Sequence, residues 1–331
     1  MTQQILMQKE DSVQDDEQLR VLNLVTSSES TFFRQQVRSL EDRGVSCTNL
    51  AVSPKRPKTD EKTETRPVTD YIRFFGTATK ESFGEYDLIH ANSGLIAPAA
   101  VFQPNLPVVL SLWGSDLMGK FGPVSKFCAR HADEVIVMSA EMAELLGQDC
   151  HIIPHGVDTE RFKPMDKAAA RAELGWEQDE TYVLFPYAAS KSVKNYPRAA
   201  RVVDAVREQY DGTLNLQTVF RVPHEQMPLY MNAADVLLLT SHREGSPNAT
   251  KEALACNTPV VSAAVGDVRD QLRGISPSAV GETDEELIDG LLSVLESTKE
   301  PNAREKVLKE MSAERMGERI HEVYELALAK Q

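Results

Sequence analysis

NAADVLLLTSHREGSPNATKEALACNTPVVSAAVGDV, residues 232–268, holds a complete strand, turn, helix and strand. Val236-Leu-Leu-Leu239 is short and wholly apolar, the composition of a strand covered on both faces. It leads through Thr240-Ser241 into the turn His242-Arg-Glu-Gly245. Ser246 suits a helix N-cap, Pro247 suits the first helical position, and Ala249 to Ala255 are mostly good helix formers. The unit sets the free amides of a first helical turn, and the positive end of the helix dipole, at the carboxyl end of a parallel strand, where open α/β sheets bind ligands. A diphosphate fits such a place. Glu252 lies one turn beyond Asn248 on the same face, so its carboxylate can accept both hydroxyls of a ribose hanging from that diphosphate. Glu244, ahead of the helix, is free to meet a group on the other side.

Short apolar or β-branched runs alternate with helical stretches on both sides of this unit, the pattern of parallel sheets with helices on both faces. Strands are expected near residues 20–27, 46–52, 86–91, 108–112, 134–139 and 151–154, then near 182–187, 216–222, 236–240, 260–264 and 277–280. Between the two series, a loop over Asp158–Pro164 precedes the helical run beginning at Lys167. With 331 residues, this predicts two α/β domains, 19–163 and 164–331, behind a disordered tail over 1–18. Residues 53–68 are charged and proline-punctuated and read as a solvated loop. Residues 303–329 read as one long closing helix.

A net charge of −14 argues against a nucleic-acid partner, since phosphate backbones need a concentrated basic surface. An anionic substrate must therefore find positive charge locally. Four scattered cysteines predict reduced thiols, with no disulfide and no zinc site. No apolar stretch reaches the ~20 residues of a membrane span, and the acidic N-terminal residues do not resemble a secretion signal, so a cytoplasmic protein is expected. Lys120, Lys126 and Arg130 suggest peripheral contact with the inner membrane face.

EGSPNATKEALACNTPVV, from Glu244, resembles the signature of glycosyltransferase family 4, a pair of glutamates eight apart whose second member opens an E-A-x-A-x-x-x-P-V-V run. The resemblance continues through DLIHANSGLIA from Asp87, VVLSLWGSDLMG from Val108, DEVIVMSAEMAELL from Asp133, IIPHGVDTERFKP from Ile152 and YMNAADVLLLTS from Tyr230, in the family's order. It implies a GT-B fold, two Rossmann-like domains facing across a cleft, with the C-terminal helix packing back on the N-terminal domain. It also implies a retaining, metal-independent enzyme without a cofactor, which moves a sugar from a nucleotide-diphosphate donor to a glycan, lipid-linked or small-molecule acceptor.

By that resemblance Glu244 holds donor-sugar hydroxyls, Glu252 the ribose, and Gly245, Ser246, Pro247 and Asn248 the diphosphate, while Lys194 is aimed at the diphosphate. Lysine and helix amides then do the work of a metal, and no Asp-x-Asp clamp occurs. Ala189 replaces an arginine usual in the family, with Lys191 as its stand-in, and Arg221 is expected near the base. On the acceptor side, Trp113 replaces a histidine, so Asp116 or the pyrophosphate is expected to take the acceptor's proton. Gly114, Ser115, His90, Asn92, Ser139 and His155 are expected at or near the cleft. The glycine-rich first loop of the family is replaced by Ser27-Ser-Glu-Ser-Thr-Phe-Phe33. Two other readings share the fold, a sugar-nucleotide epimerase and a catalytically silent binding subunit. A nicotinamide enzyme is excluded, because no G-x-G-x-x-G follows the first strand.

Overall fold

The computed structural model describes residues 18–53, 56–58 and 61–330; all but the last residue of the expected N-terminal tail lies outside them. The first half carries strands β1 (Arg20–Val25), β2 (Ser46–Ala51), β3 (Arg56–Lys58), β4 (Glu61–Thr65), β5 (Leu88–Ala91), β6 (Val108–Leu112), β7 (Glu134–Val137) and β8 (His151–Ile152). Six of them form one parallel sheet in the order β2-β1-β5-β6-β7-β8. The second half carries β9 (Thr181–Phe185), β10 (Leu214–Thr218), β11 (Val236–Leu239), β12 (Val260–Ala263) and β13 (Ala279–Gly281), again all parallel, in the order β10-β9-β11-β12-β13. β5, β6, β11 and β12 are buried at every residue, as expected of strands covered by helices on both faces.

Residues 53–68 are not simply a loop, because β3 and β4 pair antiparallel within them. A charged segment needs no core to pair with itself, since the two strands satisfy each other's backbone groups. The closing helix is also interrupted. A short helix over Ala303–Lys306 continues through a wide turn to Met311, Ser312 is extended, and the helix Ala313–Leu328 begins anew with the Ser312 hydroxyl accepting from Arg315 N at 3.2 Å.

The break occurs where the chain returns to the first domain. Val157 N donates to Met311 O and Ala313 N to Val157 O, both at 2.9 Å. A Cβ on Gly156 would lie 2.4 Å from Ser312 O, so only glycine allows the two segments to approach. Beyond the break, Met316, Ile320, Val323 and Tyr324 pack into the core of the N-terminal sheet, as the family resemblance implies. The Tyr324 hydroxyl meets His90 Nδ1 at 2.7 Å, and His90 Nε2 meets Ser111 Oγ at 2.8 Å. Tyr324→Phe leaves one buried ring nitrogen unpaired, so urea melts are expected to show about 1–3 kcal/mol less stability; an unchanged midpoint would show that this bond does not hold the closing helix.

Candidate active site

β11 ends at a loop that is held from the side. Thr240 Oγ1 hydrogen-bonds Lys194 O at 3.3 Å and Asn195 O at 3.1 Å, and His242 N donates to Val193 O at 2.9 Å. These bonds lay the turn Ser192–Lys194 along the loop after β11 and bring Lys194 Nζ to 2.5 Å from Glu244 Oε1. The same ammonium stands 4.0 Å from the centroid of the Tyr187 ring. Burial pushes the Lys194 pKa down, and the Glu244 carboxylate pulls it back. Burial pushes the Tyr187 hydroxyl well above its usual range, and both Glu244 and Glu252 add to that rise. The two glutamates of the motif therefore act on one small volume. Glu244 is not free, as the sequence suggested; it is paired with Lys194.

The helix begins at Asn248, with Pro247 extended before it, so Ser246 is not its N-cap. The Ser246 hydroxyl is already engaged, donating to Asp267 Oδ2 at 2.7 Å and accepting from Gln271 Nε2 at 3.2 Å. Gly266 closes the loop from the far side. Its φ is +54°, and a Cβ there would lie 2.2 Å from Gly245 O. Asp267 N donates to that carbonyl at 3.2 Å. Glu252 is 7% exposed, and its Oε1 accepts from His224 Nε2 at 2.9 Å. That bond raises the His224 pKa, against the pull of burial. Ser241 Oγ and Asn248 Oδ1 are buried without a protein partner, which leaves hydrogen-bonding capacity at the loop. Lys191 is exposed one turn from Lys194 and lowers its pKa, which places two positive charges on this edge. Arg221 is exposed at φ +60° and lies 5.9 Å from the Phe220 ring centroid.

Across the border, a Cβ on Gly245 would be 3.4 Å from Met142 Sδ, so the loop after β11 abuts the N-terminal domain. The acceptor-side expectations need more correction. His90 is fully buried, bound to Tyr324 and Ser111, and burial pushes its pKa down to about 3; it belongs to the core. Asn92 is also fully buried, its Oδ1 taking Gln36 Nε2 at 2.7 Å and its amide meeting His90 O at 3.1 Å. Ser139 caps its helix by accepting from Met142 N at 3.3 Å. Asp116 accepts from the amides of Gly94 and Gly114, each at 2.9 Å, and of Trp113 at 3.0 Å. With both oxygens engaged it shapes the loop, and the expectation that it takes the acceptor's proton is not supported. Gly114, at φ +121°, makes the turn that lets it do so, and Ser115 is exposed beside it. Trp113 meets the His155 ring in a T-shaped contact at 5.0 Å, and Phe32 stacks on that ring at 5.3 Å. Burial pushes the His155 pKa down to about 3.

Sequence reasoning missed His224, Gly266, Asp267 and Tyr187. The last ends a predicted strand, and Gly266-Asp267 stands just beyond another, positions that carry ligands in such sheets. His224 lies in a short turn with no local signal.

Two parallel α/β domains with a loop-and-helix site at their border define the GT-B class. Residues 30–161 match the family described as Glycosyltransferase Family 4, and residues 202–311 match Glycosyl transferases group 1. The chain belongs to glycosyltransferase family 4. It is similar to the teichuronic acid biosynthesis glycosyltransferase TuaC of Bacillus subtilis, at 29% identity over 211 residues, covering 55% of this chain and 54% of that protein. It is 33% identical over 191 residues to a D-inositol 3-phosphate glycosyltransferase of Mycobacterium bovis, covering 46% and 39% of the two chains. The matches thus span about half of these relatives or less. In fold it is similar to sucrose-phosphate synthase from Thermosynechococcus elongatus, with a TM-score of 0.72 and 18% identity over 95% of this chain and all of that one. It is likewise similar to Anabaena HepE in complex with UDP and glucose, with a TM-score of 0.68 and 17% identity over 92% and 99% of the two chains.

Gly266→Ala combines a left-handed backbone, which costs a side-chain-bearing residue about 1–2 kcal/mol, with a collision against Gly245. A lower melting temperature and weaker nucleoside-diphosphate binding are expected together, and unaltered binding would show that the loop tolerates displacement. His224 has a folded pKa above its unfolded value, so its pairing stabilises the fold at acid pH and that contribution is lost as pH rises through the raised value. The melting temperatures of wild type and His224→Gln should therefore converge as pH is raised above the ordinary histidine value of about 6.5; a constant gap would contradict the pairing.

Proposed function

We propose that this protein is a retaining, metal-independent glycosyltransferase whose nucleotide-diphosphate sugar docks at the Glu244–Asn248 loop of the second domain. The observation that carries the reading is the half-buried Lys194–Glu244 pair at 2.5 Å, just ahead of a helix whose first residue, Asn248, lies one turn from Glu252. A structural ion pair has no need of this place, whereas a diphosphate leaving group needs a cation there. On donor binding, Lys194 turns to the diphosphate and Glu244 to the sugar hydroxyls, while Glu252 exchanges His224 for the ribose. As the glycosidic bond breaks, negative charge grows on the departing phosphate, and Lys194, Lys191 and the helix amides stabilise it without rearranging. In that arrangement the sugar hydroxyls engage Glu244, and three amides engage Asp116. That supports a same-face, oxocarbenium-like substitution over a covalent intermediate on the enzyme, with the departing pyrophosphate taking the acceptor's proton. That HepE was solved with UDP and glucose supports a donor of this class.

Transfer of labelled sugar from a panel of nucleotide-diphosphate sugars tests the reading. Lys194→Ala is expected to lower turnover by a factor on the order of 10²–10³. Turnover within about threefold of wild type for Lys194→Ala and Glu244→Ala would leave too little lost stabilisation for the assigned roles. EDTA should leave the rate unchanged, and a rate restored only by added metal would overturn the metal-free scheme.

Among the described residues no helix is long and apolar enough to cross a membrane. The first domain nonetheless exposes Phe102, Phe121, Val124 and Phe127 beside Lys120, Lys126 and Arg130. Phe102 and Phe127 lie 6.3 Å apart, and Lys120 Nζ is 5.1 Å from the Phe121 ring centroid. This face suits peripheral contact with an anionic bilayer on the cytoplasmic side, where a lipid-linked acceptor would be met. Co-sedimentation with anionic vesicles at moderate salt should be lost in Phe121→Ser/Phe127→Ser, and absence of binding by wild type would remove the idea.

A further inference from the structure

Lys251 stands immediately before Glu252 on the helix Asn248–Ala255 and is 2% exposed. Its ammonium donates across the domain border to the carbonyl oxygen of His155, and to Ser246 Oγ at 3.1 Å. Asp267 accepts from the Ser246 hydroxyl at 2.7 Å and from Gln271 Nε2 at 2.7 Å, closing a network around the buried charge. Burial lowers the Lys251 pKa to about 8, with Asp267 and Glu252 pulling it back.

An apolar side chain of similar length would fill this position without the cost of desolvating an ammonium. What the lysine adds is direction, a bond to one particular carbonyl. That carbonyl belongs to His155, whose ring contacts both Phe32, in the first turn of the helix Thr31–Glu41, and Trp113. Contacts therefore run without a gap from the donor loop at Ser246, through Lys251, to the aromatic wall of the first domain.

We propose that Lys251 is a positioning residue, a strut that fixes where the donor loop stands relative to the wall formed by Phe32, His155 and Trp113. Its consequence for sugar transfer rests on the function proposed above; the strut itself does not. The chain has two tryptophans, so Trp176→Phe leaves Trp113 as the sole reporter. In that background, Lys251→Met is expected to move Trp113 emission to longer wavelength, as the wall loosens and water enters. Ser246→Ala cuts the strut's other anchor at a half-buried loop position and should move it in the same direction, so the test stands even if the first variant fails to fold. Nucleoside-diphosphate affinity should stay within about threefold in Lys251→Met while turnover falls by about tenfold or more, a split that general destabilisation does not give. Unshifted Trp113 emission in folded Lys251→Met, or in Ser246→Ala, would overturn the strut. Shifted emission in a protein that binds no nucleoside diphosphate would uphold the strut and defeat the donor reading instead.

Discussion

The chain crosses between its two domains at one place, and the arrangement of everything else depends on that crossing. Val157 is held on both sides by the segment around Ser312, with Gly156 packed too tightly against it for any side chain. The two passes are tied together by these two backbone bonds. The helix break at Ser312 follows from this. A continuous helix would have kept its own backbone bonds at this point, whereas an extended Ser312 gives Met311 O and Ala313 N to Val157. Once across, the final helix is anchored through Tyr324 and His90 in the core of the first domain.

That geometry brings the carboxyl edges of the two sheets to a shared border, with different materials on each side. The second domain offers charge: Lys194 and Glu244 paired in a half-buried setting, and Glu252 held by His224 one turn along. Each pair is satisfied in the resting protein and can be exchanged for a polar ligand without leaving a charge bare. The first domain offers shape, an aromatic wall and a loop fixed by Asp116. This asymmetry suits chemistry in which one partner brings a diphosphate and the other only hydroxyls.

Much of the fold was legible in the sequence because buried parallel strands are wholly apolar and helices between them are amphipathic, so β11, β12 and their connecting helix could be placed to within a residue or two. The hairpin of β3 and β4 escaped because residues 53–68 are charged and proline-punctuated and carry no hydrophobic period. The helix break escaped because it is imposed by Val157, more than a hundred residues away in the chain. At the site, Glu244, Lys194 and Glu252 were found through a motif. Their partners His224 and Tyr187 were not, since pairing across loops leaves no trace in local spacing. His90 and Asn92 misled for the opposite reason: a polar residue at a strand end reads as a ligand contact until its buried partners are seen.

The proposed function requires the segment Glu244–Glu252, with Lys194 beside it, to receive a nucleoside diphosphate. Backbone hydrogen exchange with and without an added nucleoside diphosphate tests it most directly. Slowed exchange is expected at the first-turn amides after Pro247 and in the turn around Lys194, with little change in the core strands. Binding that protects neither segment, or protects only the first domain, would contradict it.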